Sequence, residues 1–372
     1  MFRHTIPIGK LFGIKVDLDY TWFLIAALLT WIMATAYYPT EFPGWSTGEY
    51  WLIGGLTAVL LFVSVLIHEF AHSLVAKSYG IEVSRITLFI FGGVSQIAGE
   101  PRSAREEFWI AAVGPFTSIG LGVLAWELEP LAAGSPPFFA LAEYLSFLNI
   151  ALGVFNLIPG FPLDGGRVLR AIVWRVTGKY RRATAIAATT GRFFGFLLIF
   201  LGVVQAIFGN VFNGIWIAFI GWFLESAAAS QLQMEMVKSL VTGHTVGEAM
   251  RLDVPQVPGN TTVEEAVDRF VLSRGIRSFV VSTEGVPAGM VTLTDVRKLP
   301  RERWPLTPVS EIMLPVAKLE TVRRGADLWK ALEKMGRDGV NQLPVMENNG
   351  VVGMLTREDV MHYLQFLQSQ HA

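Results

Sequence analysis

The 372-residue chain is 52% apolar without counting its 36 glycines, and only 16% of its residues are charged. Soluble proteins are about 45–50% apolar with glycine included and about 25% charged, so this composition disfavours a wholly soluble protein. Because the chain has no cysteine, disulfides and thiolate-bound metals are excluded. The net charge of −1 gives no reason to expect a nucleic-acid partner.

The apolar excess belongs to residues 1–237, which carry 14 Lys/Arg and 15 Asp/Glu, whereas the shorter segment 238–372 carries 16 of each. A helix crosses a bilayer with about 20 apolar residues, and the first segment offers six such stretches. The predicted spans are Tyr20–Tyr38, Trp51–Val75, Phe108–Trp126, Phe138–Pro159, Gly191–Phe208 and Val211–Ala229. No cleavable signal pattern precedes the first span, which is therefore predicted to be a retained anchor.

All 14 basic residues of this region lie in the N-terminal tail, between the second and third spans, or after the fourth span. The three alternate loops have none. The positive-inside rule assigns the basic side to the cytoplasm. We therefore predict a multi-pass protein of the cell (inner) membrane, with both termini and the C-terminal segment in the cytoplasm.

The segment Ser84–Ile97, between the second and third spans, is rich in β-branched and aromatic residues. Gly92 and Gly93 interrupt it, which is typical of a hairpin of two short strands. One interpretation is an apolar loop packed against helix ends. The other is an exposed sheet edge at the membrane surface that can pair with an extended peptide.

Three ionisable residues, His68, Glu69 and His72, lie in the motif HEFAH inside the second span. Residues four apart share a helix face, so both imidazoles can bind one zinc ion, with Glu69 beside them as a proton acceptor. Polar residues of a solvated helix are the alternative explanation. It is weak here, because ionisable groups within an apolar span are costly.

A catalytic zinc ion usually has three protein ligands and one open position. Most other His and Glu residues lie far from the motif in sequence or on the other side of the membrane. Asp164 remains, in NLIPGFPLDGGR, where the fourth span ends on the same side as His68 and His72. Without the histidines, a helix-terminating Asp-Gly turn would explain Asp164 equally well.

The two motifs, HEFAH in one span and NLIPGFPLDGG at the end of another, resemble those of the site-2 protease family of intramembrane zinc metalloproteases. The resemblance covers nearly all of residues 1–237. It implies one zinc ion per chain held by His68, His72 and Asp164, with Glu69 as the catalytic base. It places Asn156 where it can stabilise an oxyanion or hold the substrate, an integral membrane protein cleaved within or near a span in the lipid bilayer.

The C-terminal segment contains an internal repeat. Residues 246–250 recur as 309–313 and residues 289–295 recur as 353–359, and each repeat is predicted to run strand, helix, strand, strand, helix. The repeat resembles a pair of cystathionine-β-synthase (CBS) domains, which implies an adenine nucleotide site and a homodimer contact. The nucleotide contacts it implies are Thr292, Asp295, Thr356 and Asp359. The alternative is that each aspartate caps the following helix and that no ligand binds.

The predicted fold is a six-span helical membrane domain with a small membrane-surface β element, followed by a soluble α+β tandem CBS (Bateman) module. The predicted domains are residues 1–237, 238–305 and 306–372. The favoured function is intramembrane proteolysis with nucleotide regulation. The alternative is a transporter or channel with regulatory CBS domains, in which the ionisable residues would line a transport route.

Overall fold

The computed structural model describes residues 5–90, 92–348 and 350–371. The chain divides into two compact units, residues 1–235 and 236–372.

The first unit contains the predicted spans. Six helices of the described residues are long and apolar enough to cross a membrane, which confirms the predicted number. The first combines α1 (Tyr20–Ile32), a π-helical segment (Met33–Tyr37) and α2 (Tyr38–Glu41). The others are α3 (Thr47–Ser78), α4 (Ala104–Ala132), α5 (Pro136–Asn156), α7 (Tyr180–Phe208) and α8 (Val211–Val241).

Most predicted span ends differ from the observed helix ends, and the largest differences are in the fifth and sixth spans. The sixth span was predicted to end at Ala229, but α8 continues to Val241. The fifth span was predicted to begin at Gly191, but α7 begins at Tyr180, because the alanine-rich residues before Gly191 continue the helix. The fourth was predicted to end at Pro159, but α5 ends at Asn156. Asp164 does not terminate that helix and instead begins a separate one, α6 (Asp164–Thr177).

A four-stranded sheet joins the helices, with strand order β1-β2-β3-β4. Its strands are β1 (Thr5–Leu11), β2 (Ile14–Asp19), β3 (Glu82–Phe89) and β4 (Gly92–Ala98). The predicted hairpin is confirmed as the antiparallel pair β3 and β4, although Phe91 at its turn lies outside the described residues. The sequence analysis missed β1 and β2, of which β2 pairs parallel with β3. Among the described residues no further strand pairs with β4, so one edge of this outer strand is open.

The second unit contains two repeats, each with the predicted order of strand, helix, strand, strand and helix. Each repeat also opens with a short helix that the predicted order lacks, α12 (Val309–Ile312) in the second repeat and α9 (Val246–Ala249) in the first. That repeat contains β5 (Gln256–Pro258), α10 (Val263–Ala266), β6 (Ser278–Thr283), β7 (Val286–Thr292) and α11 (Leu293–Lys298). After α12 (Val309–Ile312) and β8 (Leu314–Pro315), the second contains β9 (Val322–Arg323), α13 (Leu328–Arg337), β10 (Gln342–Glu347), β11 (Gly350–Thr356) and α14 (Arg357–His371).

The two repeats contact each other through equivalent positions. Ser278, the first residue of β6, donates a hydrogen bond to Gln342, the first residue of β10, over 2.6 Å. Met290 and Met354, which occupy matching places in the two repeats, belong to one buried apolar cluster. The repeats therefore pack as a pair.

Candidate metal centre

Three side chains from two helices converge in the first unit. His68 and His72 lie one turn apart on α3, and Asp164 is the first residue of α6. The Nε2 atoms of the imidazoles are 3.1 Å apart, and Asp164 Oδ2 lies 3.2 Å from that of His68 and 3.1 Å from that of His72. Ligands at about 2.0–2.2 Å around a tetrahedral ion are separated by about 3.4 Å. The three donor atoms are therefore spaced closely enough to share one ion.

The other ring nitrogens of both histidines have partners on α4. His72 Nδ1 lies 2.5 Å from the main-chain carbonyl oxygen of Ile110, and His68 Nδ1 lies 2.9 Å from Ser118 Oγ. A carbonyl oxygen only accepts, so His72 must carry its proton on Nδ1, which leaves a lone pair on Nε2. A metal ligand requires this tautomer, and metal-bound histidines usually have such a partner. The residues present fit a zinc ion.

Gly114 of α4 leaves room for the two imidazoles. A Cβ at this position would overlap His72 Nε2 and would lie 2.7 Å from His68 Nε2. Any side chain here would therefore fill the space in which the three donor atoms meet. Gly114 and Ser118 are four residues apart on one face of α4.

Asp164 is nearly buried in this cluster, with 14% of its side chain exposed. Burial by itself would raise the pKa of this carboxyl. When His72 is protonated on both nitrogens instead of binding a metal ion, its charge and the hydrogen bonds from both imidazoles hold the pKa of Asp164 well below its usual range. The third donor is therefore a carboxylate.

Glu69 lies next to the cluster and contacts the open-edged strand β4. Its Oε2 accepts a hydrogen bond from Ser95 Oγ over 2.6 Å. Ser73, which is fully buried one turn further along α3, donates to Ser95 Oγ over 3.1 Å. Glu69 thus follows His68 on α3, and its carboxylate is held by Ser95 of β4.

Asn156 is not part of the cluster. It is the last residue of α5, and its side-chain amide donates to the carbonyl of Leu152 over 2.9 Å. The structure therefore assigns it no contact with the three donor atoms.

A buried ion pair connects the two helices around the centre. Arg170 on α6 donates through Nε to Glu107 Oε1 on α4 over 2.6 Å, and Glu107 is fully buried. The guanidinium of Arg170 also lies 4.9 Å from the ring centroids of both Phe161 and Tyr180. Sequence reasoning missed this pair. The available clue was an arginine and a glutamate that flank apolar helices near both metal motifs.

In the second unit, each of the two predicted Thr–Asp pairs of nucleotide contacts forms a helix cap. Thr292 and Asp295 form a capping box at α11, with Thr292 Oγ1 donating to Asp295 Oδ2 over 2.6 Å. Thr356 donates to Asp359 over the same distance. The second carboxylate is also held by Arg251, whose Nη2 donates to Asp359 Oδ1 over 2.6 Å.

Comparison with known proteins accounts for both units. A model of peptidase family M50 matches residues 56–132 and 129–198, and the CBS domain model matches residues 246–302 and 309–365. Rip3 of Mycobacterium tuberculosis, which is named as a zinc metalloprotease, is 36% identical over 363 residues, 96% of this chain and 92% of Rip3. This chain belongs to peptidase family M50.

This M50 peptidase is also similar to the following two proteins. The protein sll0528 of Synechocystis sp., also named as a zinc metalloprotease, is 33% identical over 370 residues, 98% of this chain and 96% of the relative. A solved site-2 protease from Methanocaldococcus jannaschii is 30% identical, with a TM-score of 0.41, over 62% of this chain and 95% of that chain.

Family membership confirms the predicted activity and cofactor class. This M50 peptidase is a zinc metalloprotease of the site-2 type, a membrane protein that acts on membrane-protein substrates and carries a CBS pair. The transporter or channel alternative is not favoured.

Proposed function

We propose that His68, His72 and Asp164 hold one zinc ion per chain and that Glu69 is the general base of peptide-bond hydrolysis. The observation that carries this assignment is the convergence of three donor atoms within 3.2 Å of one another, with Glu69 beside them. Both histidines are also buried and held in place by α4.

Zinc bound there would lower the pKa of a water to about 7 and polarise a carbonyl. The Glu69 carboxylate accepts a proton from the attacking water and later returns it to the leaving amine. His72 keeps its orientation through the Ile110 carbonyl, and His68 keeps its orientation through Ser118. The nearly complete burial of both imidazoles limits the access of bulk water to the donor atoms.

We propose that the substrate binds as an extended segment against the open edge of β4. A helical span hides its carbonyl groups in its own hydrogen bonds and must unwind locally before cleavage. An edge strand supplies replacement hydrogen bonds, and Gly93 and Ser95 of β4 contact Glu69. Asn156 would take part by turning its amide from Leu152 toward the substrate or the oxyanion.

We further propose that the 14 basic residues of the first unit mark the cytoplasmic side, so that both termini and the CBS module lie there, in the cell membrane. The proposed domain limits remain residues 1–237, 238–305 and 306–372.

The CBS pair is proposed to bind an adenine nucleotide and to support a homodimer. Thr292 and Asp295 are half-buried, and Asp295 pairs with Thr292 and with the exposed Lys298, so that a ribose hydroxyl would take the place of Lys298 at the carboxylate. The helix-capping alternative accounts for the same hydrogen bonds without a ligand.

The test compares membrane-protein fragments by proteomics in cells that contain the wild-type enzyme or E69Q, together with zinc analysis of both purified proteins. Glu69→Gln removes the base but no proposed ligand. E69Q should therefore keep its zinc and fail to produce the fragments that the wild-type enzyme generates. Substantial proteolysis by E69Q, or an identical set of fragments in both cells, would contradict the assignment.

A further inference from the structure

Strand β4 lies unusually close to Glu69. A Cβ added at Gly93 would lie 2.5 Å from Glu69 Cγ, so only glycine allows the strand this approach. Ser95, two residues along, faces the same side of the strand and reaches the carboxylate. The strand with the open edge is therefore also the strand that contacts Glu69.

The contact is a directed chain of hydroxyl groups. Ser73 donates to Ser95 Oγ over 3.1 Å, and Ser95 donates to Glu69 Oε2 over 2.6 Å. The second distance lies in the range of about 2.5–2.7 Å that is typical of hydrogen bonds from a hydroxyl group to a carboxylate. Such hydrogen bonds are stronger than those between neutral groups. Because Ser73 occupies a lone pair of Ser95, the Ser95 proton is directed at Glu69.

We infer that Ser95 is a positioning residue that fixes one oxygen of the Glu69 carboxylate and leaves the other to act on the water. This inference rests on the proposed role of Glu69 as the base. A carboxylate on a flexible side chain reacts well only when its orientation is fixed beforehand. Ser95 supplies that restraint from β4, while Ser73 supplies it from α3.

The same arrangement couples the base to the substrate. The open edge of β4 is the proposed binding site for the extended substrate, and Ser95 belongs to that strand. The strand that aligns the scissile bond thus also holds the group that activates the water. Displacement of β4 would therefore disturb both.

The first measurement is kinetic and uses the full-length protein. Its substrate is a fluorescently labelled copy of a transmembrane segment that the comparison of wild-type enzyme with E69Q identifies as cleaved. S95A should lower kcat by about tenfold or more while KM and zinc content change by less than about twofold. S95T keeps the hydroxyl and should restore kcat. S84A is the matched control, because Ser84 is an exposed serine of the neighbouring strand whose hydroxyl donates to the main-chain carbonyl of Gln96 and not to Glu69.

The second measurement needs neither substrate nor metal. Infrared difference spectra of wild-type protein and E69Q assign the carboxylate stretch of Glu69, which S95A should shift and S95T should restore. S73A should shift the same band less, since Ser73 acts on Glu69 only through Ser95. If S95A does not fold, S73A still tests the inference, because it leaves the sequence of β4 unaltered.

An unshifted band or an unchanged kcat in S95A would overturn the inference about Ser95. In that case an inactive E69Q would still support Glu69 as the base. Parallel loss of kcat, zinc and folded protein in S95A that S95T does not restore would show a structural role and also overturn it. An active E69Q would instead remove the proposed function on which the inference depends.

Discussion

At the residue scale, the metal centre depends on atoms that have no side-chain chemistry of their own. His72 is oriented by the main-chain carbonyl of Ile110, and Gly114 contributes only the space left by its missing Cβ. Alanine is normally preferred to glycine in a helix by about 1 kcal/mol. Here packing against the imidazoles reverses that preference.

We expect G114A to lose most of its zinc and its proteolytic activity, because the new Cβ would overlap the imidazole nitrogens. G120A is the matched control in the same helix, since a Cβ at Gly120 meets nothing within 4 Å. It should keep its zinc and activity. Zinc analysis by mass spectrometry and the cleavage assay provide the measurement, and full zinc occupancy in G114A would contradict this account of the site.

How far the sequence predicts the site depends on which interactions are local. The face shared by His68 and His72 follows from helix geometry, and Asp164 could be reached by elimination. Ser118 and the Ile110 carbonyl could not, because their contacts join helices far apart in the chain and one of them involves no distinctive residue type. Ser95 was within a predicted strand, but nothing local indicated which side it faces.

At the scale of elements, the centre depends on how α6 is held against α4. The buried pair of Glu107 and Arg170 connects the two helices, and α6 begins with Asp164. Leaving one member of a buried ion pair without its partner costs about 3–5 kcal/mol. The pair should therefore govern both stability and the position of the third metal ligand.

R170M should lower the free energy of unfolding by about 3–5 kcal/mol and reduce zinc occupancy, because Glu107 stays buried as an unpaired carboxylate. Adding E107Q should recover part of the loss. R337M is a suitable control, since Arg337 and Asp338 form an exposed pair worth about 0–1 kcal/mol. Denaturant titration of the detergent-solubilised protein measures the differences, and equal effects of R170M and R337M would contradict this role.

The short helix α9 carries a pH-dependent cap. The Glu248 carboxylate accepts hydrogen bonds from His244, from the main-chain N–H of Thr245 and from the hydroxyl of Tyr363. These hydrogen bonds lower the pKa of Glu248 to about 2. Because the folded-state value lies below the usual value of 4.5, the stabilisation is present above that value and is lost as the pH falls towards 2.

The difference in stability between wild-type protein and E248Q should therefore be full above about pH 5 and should disappear near pH 2. Amide hydrogen exchange of residues 246–250 as a function of pH would measure it. A difference that stays constant over this range would show that the carboxylate charge is not responsible.

At the scale of the whole molecule, the fold class follows from composition and repeats, whereas the complete sheet does not. Residues 15–18 pair with residues 85–88 across the first two spans, and no local pattern indicates a partner so distant. The residues of β1 also include Pro7 and Gly9, which are unfavourable in strands. The sequence therefore predicted only the hairpin whose two strands are adjacent in the chain.

Regulation of proteolysis by the CBS module is the prediction that involves both units. A nucleotide that couples to activity by about 1–3 kcal/mol would change cleavage about 5- to 150-fold. Calorimetry of the full-length protein with ATP, ADP and AMP should detect binding, and D295A should weaken it more than D359A, because Arg251 holds Asp359 through both Nε and Nη2, whereas the exposed Lys298 holds Asp295 through a single hydrogen bond. If no heat of binding is detected at millimolar nucleotide, the module serves only as a scaffold. Nucleotide binding without a change in the cleavage rate would contradict regulation of proteolysis by the module.

The parallel pairing of β2 with β3 also sets an order of assembly during synthesis. Residues 5–19 leave the ribosome first, but their partner strand β3 ends at Phe89, after the first two spans have been made. At about 5–20 residues per second, the N-terminal segment waits about 4–14 s for this partner. Strands β1 and β2 can pair with each other at once, but the edge of β2 that faces β3 stays unpaired during this interval and must stay clear of other chains.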